Sequence, residues 1–162
     1  MTEAVNFRQT LRDQIVTGIV AGVAGGILID VFLFGAQMSQ GISLGTAIEG
    51  TYSFIASALI GKSALGNPAA PPIGFVLHFL VSIGWALGYV YLARTQPQLL
   101  AKPWISGAAF GLVVYIFMEI VLLAAGLYHR PGPAELGTGL VAHVLFFGIP
   151  VALIVSRRLT RA

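Results

Sequence analysis

Four ionisable side chains interrupt four otherwise apolar stretches of the chain, one in each stretch. They are Asp30, His78, Glu119 and His143. An acid at the centre of a membrane helix costs about 2.5 to 3.5 kcal/mol, so such groups usually face inward and pair with one another. Two imidazoles and two carboxylates therefore form a candidate site.

Three chemistries suit this residue set, and a structural role is the fourth hypothesis. Imidazole and carboxylate together can bind a divalent transition metal such as Zn, Fe or Mn without a thiolate, and the chain has no cysteine. Haem b could take His78 and His143 as its two axial ligands. A proton relay or coupling-ion site is the third chemistry, because buried carboxylates and imidazoles exchange protons. In the structural role, hydrogen bonds among the four side chains only join helices.

Sequence motifs for enzyme chemistry are missing around these residues. Neither acid precedes a histidine by three positions, as the Glu-x-x-His pattern of di-iron bundles requires. The chain also has no nucleophile elbow, phosphate-binding loop or dinucleotide fingerprint. The sequence therefore leans away from an enzyme.

The composition predicts that the chain lies in a membrane, with the lipid bilayer as its partner. Of 162 residues, 57% are hydrophobic and 9% are charged, whereas about a quarter of the residues in a soluble domain are charged. The mean hydropathy is +0.88, and the formal net charge is only +3. Basic residues confined to short gaps argue against nucleic-acid binding. A homo-oligomer or a larger membrane complex stays open.

Four stretches meet the length of roughly 20 apolar residues that a membrane-crossing helix needs. They are 15–34, 72–93, 104–127 and 139–156. We therefore predict one transmembrane domain over 1–162, an all-α integral membrane four-helix bundle with up-down-up-down topology. A fifth stretch, 42–61, has Leu44, Ile48, Tyr52, Ile55 and Leu59 at helical spacing, with Thr46, Glu49, Ser53 and Ser57 on another face. That pattern predicts an amphipathic or re-entrant helix at the outer face.

Basic residues fix the predicted orientation, because Lys and Arg of short loops stay in the cytoplasm. Four spans leave Lys62 and Arg130 outside. The basic residues that they place inside are Arg8, Arg12, Arg94, Lys102, Arg157, Arg158 and Arg161. A fifth span would instead place most of the basic residues outside. The sequence thus predicts a multi-pass protein of the cell inner membrane with both termini cytoplasmic.

This topology brings the four ionisable residues to one depth. Each lies between four and eight positions from the outer end of its span, or roughly 6 to 12 Å below the outer face at the rise of an α-helix. Glycines spaced four residues apart predict close helix contacts in three spans. These are Gly18, Gly22 and Gly26, then Gly84 and Gly88, and then Gly107 and Gly111.

Several features of the C-terminal half are similar to bacterial inner-membrane proteins of the YagU-like family. They are the run from His78 to Tyr89, Pro97, Gly107 with the two alanines after it, and Ala142-His143 before the basic Arg157-Arg158. The resemblance implies a four-helix membrane protein in which His78 and His143 fall on histidines of the family pattern, with a loose association with acid tolerance. The sequence departs from the family pattern at Glu119, where the resemblance implies His or Asn.

Together the residues and the resemblance predict a small membrane protein with a proton-linked, small-solute-handling or membrane-stress role through the polar layer. A structural or assembly subunit of a membrane complex is one alternative. A metal- or haem-binding membrane protein that uses His78 and His143 is the other.

Overall fold

The fold is all-helical, as the sequence predicts. In a computed structural model that describes residues 10–127 and 132–160, those residues contain helices and turns and no β-strand. The helices are α1 (Leu11–Ser39), α2 (Leu44–Ile60), α3 (Ala70–Thr95), α4 (Gln98–Ala101), α5 (Pro103–Ala124), α6 (Pro133–Val141) and α7 (Ile149–Thr160). A 3₁₀ turn, Lys62–Ala64, follows α2, and a π-helical turn, Ala142–Gly148, joins α6 to α7.

Within the described ranges, four helical segments are long and apolar enough to cross a membrane. They are α1, α3, α5 and the continuous segment Pro133–Thr160 that α6, the π turn and α7 form together. Large apolar side chains cover their outer surface, such as Leu80 with 63% exposed and Ile105 with 67% exposed. An apolar surface of this extent is stable in lipid and not in water. The chain is therefore a multi-pass membrane protein with a four-helix bundle.

Capping residues set where the helices begin, which is why the helices are longer than the apolar stretches. The Thr10 hydroxyl accepts from the Asp13 N–H, and the Asp13 carboxylate accepts from the Thr10 N–H, so α1 starts before its apolar run. Proline occupies the first turn of α3, α5 and α6, where its missing N–H costs nothing.

Contacts at one end of the bundle establish its up-down order. Arg94, near the end of α3, donates to the Gln14 side-chain oxygen at the start of α1, at 2.7 Å. The Ser156 hydroxyl of α7 donates to the Leu100 carbonyl of α4, at 3.0 Å. This end carries Arg12, Arg94, Lys102, Arg157 and Arg158, whereas Lys62 lies at the other end. The remaining basic residues, Arg8, Arg130 and Arg161, lie outside the described residues.

Glycine contacts confirm the predicted close packing in the first and third spans. Helix α1 packs on α3 and on the π turn and α7, and α5 packs on the π turn and α7. Gly22 faces the Ile83 backbone of α3, and Gly111 faces the His143 backbone. The prediction is wrong for the second span, because nothing lies within 4 Å of a Cβ placed at Gly84 or Gly88. Those two glycines face away from the bundle.

Helix α2 occupies the predicted fifth segment, but burial divides its residues differently from the predicted faces. The side chains that it buries include Ala47, Ser53 and Ser57, and they pack mainly on α3. The large apolar residues Leu44 and Leu59 point outward, with 47% and 66% exposed. Small and hydroxyl-bearing side chains allow a close helix contact, so α2 turns them to the bundle and leaves its leucines to lipid.

Candidate functional site

Asp30 lies in the C-terminal half of α1 and is almost completely buried, with 6% of its surface exposed. Its Oδ2 accepts a 2.8 Å hydrogen bond from the Tyr52 hydroxyl of α2. The same oxygen lies 3.3 Å from Nε2 of His78 on α3. Three helices thus bring one side chain each to a single point, and we call Asp30, Tyr52 and His78 the acid cluster.

His78 is fixed by two oxygen atoms on the same side of its ring. Its Nε2 lies 3.3 Å from the Asp30 carboxylate and 3.2 Å from the Gly26 carbonyl oxygen. A carbonyl and a carboxylate only accept hydrogen bonds, so Nε2 carries a proton. The contact with Asp30 is therefore a hydrogen bond when the imidazole is neutral and an ion pair when it is charged.

The second carboxylate oxygen of Asp30 has no partner. Among the described residues, Oδ1 is the buried side-chain oxygen or nitrogen atom without a hydrogen bond. A buried acceptor left in this way costs about 1 to 3 kcal/mol. A proton on the carboxyl group or a small hydrogen-bond donor beside it would remove that cost. The acid cluster thus keeps one buried carboxylate oxygen available for a proton or a hydrogen-bond donor.

Tyr52 is the site residue that the sequence did not reveal. Spacing placed it on the apolar face of α2, and its ring does pack on Phe75 with centroids 5.4 Å apart. Its backbone meets α3 at Gly74, where a side chain would collide with the Tyr52 carbonyl group. Burial, together with the adjacent Asp30, raises the pKa of Tyr52. The phenol therefore stays protonated and serves as a donor.

His143 lies in the π turn and faces the same space as His78. Its Nδ1 is 2.8 Å from the Gly139 carbonyl oxygen, and its ring lies 5.5 Å from the Tyr115 ring. Both histidines line a partly open cavity of about 50 Å³ that is formed by α1, α3, α5 and the π turn. The structure therefore brings Asp30 to His78 by direct contact, and His78 to His143 across a cavity.

Glu119 stands outside this arrangement. It is half-buried, and it follows Met118, which lines the cavity. Of the hydrogen bonds and ion pairs identified in residues 10–127 and 132–160, none includes the Glu119 carboxylate. The predicted four-residue layer is thus a connected set of three, with Glu119 on the neighbouring part of α5.

The geometry also bears on the metal and haem hypotheses. The described ranges contain no group of three or more His, Asp or Glu side chains that could hold a metal ion. A cavity of about 50 Å³ has room for water, since one water molecule needs about 10 to 15 Å³ of such volume, but it is far smaller than a porphyrin. A porphyrin between His78 and His143 would therefore require the helices to separate.

Comparisons with protein-family models, with curated proteins and with solved structures find no match. The YagU-like resemblance therefore stays a prediction. Function has to be argued from the acid cluster and the cavity, because a fold alone does not determine chemistry.

Proposed function

We propose that the protein is a proton-linked membrane protein whose proton-binding group is the acid cluster. The observation that carries this proposal is the buried Asp30 carboxylate, which touches the protonatable imidazole of His78 and keeps one oxygen without a donor. Ionisable groups buried in a membrane bundle are costly and mark proton pathways in many pumps and transporters. A bundle held by apolar contacts alone would not need this pair.

The position of α2 supports a route for the proton from the outer face. Tyr52 closes over Asp30, and Gln37 on α1 donates to Thr51 on α2 at 3.0 Å. Movement of α2 away from the bundle would break both contacts and expose the Asp30 carboxylate to the outer face. Release of the proton, or its exchange for a small solute, follows from the same movement. This role also fits the acid tolerance associated with the YagU-like resemblance.

Asp30→Asn is expected to abolish proton flux through the protein. The amide has nearly the same shape as the carboxylate but does not take up a proton, so the fold is kept while the proton-binding group is lost. The measurement is the decay of a pH gradient in proteoliposomes of phosphatidylethanolamine and phosphatidylglycerol, followed with an enclosed pH-sensitive dye.

Glu119→Gln is the matched control, because it makes the same chemical change in a half-buried acid that lies outside the acid cluster. It is expected to keep the wild-type flux. Wild-type vesicles without flux would exclude the proposal. If Glu119→Gln lost the proton flux and Asp30→Asn kept it, the proton-binding group would be Glu119 on α5.

We further propose that the protein lies in a bacterial inner membrane with both termini in the cytoplasm. The support is the excess of basic residues at the end that holds Arg94 and Lys102. Because the chain has no cysteine, single cysteines can report each end. Ser63 and Gln98 are both exposed and lie at opposite ends of the bundle.

In intact cells, a membrane-impermeant maleimide is expected to label Ser63→Cys and to leave Gln98→Cys unlabelled until the membrane is permeabilised. Both variants place the thiol at an exposed position, Ser63 in the 3₁₀ turn and Gln98 at the start of α4, so their reactivity differs only through access. If only Gln98→Cys were labelled in intact cells, the protein would have the opposite orientation in the membrane.

A further inference from the structure

The cavity between the two histidines has polar groups from two helical segments. His78, Ser82 and Trp85 come from α3, and His143 comes from the π turn. The rest of the wall is apolar, from Ile29, Val81, Val114, Met118 and Phe147. Purely apolar cavities stay empty, whereas a cavity that offers a water two to four polar partners holds one. This cavity has both the size and the polar groups to bind water.

The hydrogen bonds of the two histidines determine which nitrogen of each ring is left as an acceptor for a water molecule. Nε2 of His78 and Nδ1 of His143 each lie against carbonyl or carboxylate oxygens, so each carries a proton. In the neutral rings, Nδ1 of His78 and Nε2 of His143 are then acceptors. A water molecule has two hydrogens to donate, which matches two acceptors.

Neither of these two nitrogens has a hydrogen-bond partner within the described protein. In the part of the chain that the structure describes, no side chain or backbone group bonds to either one, and the buried side-chain atom without a partner is Asp30 Oδ1. Both ring nitrogens therefore remain available to accept a hydrogen bond. The Ser82 side chain is buried on the same wall, with 5% of the residue exposed.

We infer that the cavity binds water between His78 and His143, and that this water carries protons from the acid cluster to His143. The inference rests on the proposed function and extends it to a second proton-binding residue. When His78 is charged, the N–H bond at Nδ1 breaks and the proton joins the water oxygen. At the same time the water gives one hydrogen to Nε2 of His143. His78 becomes neutral, the water is restored, and His143 becomes the cation.

A direct test is solid-state NMR of ¹⁵N-histidine-labelled protein in phosphatidylethanolamine and phosphatidylglycerol bilayers. The chain has three histidines, and the signals lost in His129→Gln and in His143→Leu assign all three. Magnetisation transfer from water is expected to reach His78 and His143, and the neutral His143 signal is expected to show protonation at Nδ1.

Val114→Leu adds a methylene group to the cavity wall and is expected to abolish both the water transfer to His143 and the proton flux. Val113→Leu makes the same change at the preceding position, which is 56% exposed on the surface of the bundle. It is expected to leave both measurements at the wild-type level.

The outcomes separate this inference from the proposed function. No water transfer to His143 in the wild type would overturn the inference, whatever the flux. Normal flux in a Val114→Leu protein that has lost the water signal would overturn the relay through His143 and leave the acid cluster as the proton-binding group. A hydrated cavity without wild-type flux would overturn the proposed function.

Discussion

Gly22→Ala is expected to force α1 away from α3 and to destabilise the bundle by about 1 to 3 kcal/mol, the usual cost of overpacking. A Cβ at this position would lie 2.5 Å from the Ile83 Cα and 2.8 Å from the Ser82 carbonyl oxygen. Both are backbone atoms of the facing helix, so no side-chain rotation relieves the contact. Because Gly26 and Asp30 follow on the same face of α1, the acid cluster is expected to loosen as well.

Gly84→Ala is the control for this prediction, because it makes the same change in another membrane span. Nothing lies within 4 Å of a Cβ at Gly84, and replacing glycine in an open helix restricts only the unfolded chain. Its stability is therefore expected to equal or slightly exceed that of the wild type. The measurement is unfolding by a denaturing detergent, followed by circular dichroism. Equal losses in both variants would contradict the close α1–α3 contact.

The number and order of the spans follow from the sequence because the membrane imposes them. Each span has to be about as long as the hydrocarbon core is thick, and each short loop keeps its basic residues on one side. The boundaries are less predictable. Thr10 starts α1 through a hydrogen bond with Asp13, and that signal lies outside the apolar stretch.

Part of the site also follows from the sequence. The depth argument places Asp30 and His78 at the same height, and the structure puts them in contact. The depth of a residue does not specify which face of the helix it occupies. The sequence therefore does not distinguish Glu119, which lies outside the acid cluster, from the other three residues. Tyr52 was missed because its contact with Asp30 depends on how α2 docks, which spacing within α2 does not determine.

The wide turn that carries His143 is another feature that spacing alone does not predict. The turn Ala142–Gly148 precedes Pro150, whose ring lacks an N–H and collides with the carbonyl four residues earlier in a regular helix. Such π turns occur often at functional sites. Here the turn packs against Gly107 and Gly111 of α5 and also against α1, so two helices fix its position.

His78→Leu is expected to be the most destabilising single change in the acid cluster, at about 3 to 5 kcal/mol. It leaves the Asp30 carboxylate buried with only the Tyr52 hydroxyl as a donor, since Oδ1 already has none. His143→Leu is the matched control. The His143 side chain is bonded to Gly139 of its own helix and has no carboxylate partner, so its loss is expected to cost about 1 kcal/mol, one ordinary hydrogen bond.

A double-mutant cycle with Asp30→Asn tests whether that cost comes from the unpaired carboxylate. Asp30→Asn alone is expected to cost little, because the neutral amide oxygen still accepts from Tyr52 and His78. Asp30→Asn/His78→Leu should then be more stable than His78→Leu, since no charge is left without a partner. A coupling energy below about 0.5 kcal/mol would indicate two independent side chains. A large coupling would mean that the bundle keeps His78 to support Asp30, and a bundle that needed only packing would have no reason to keep either residue.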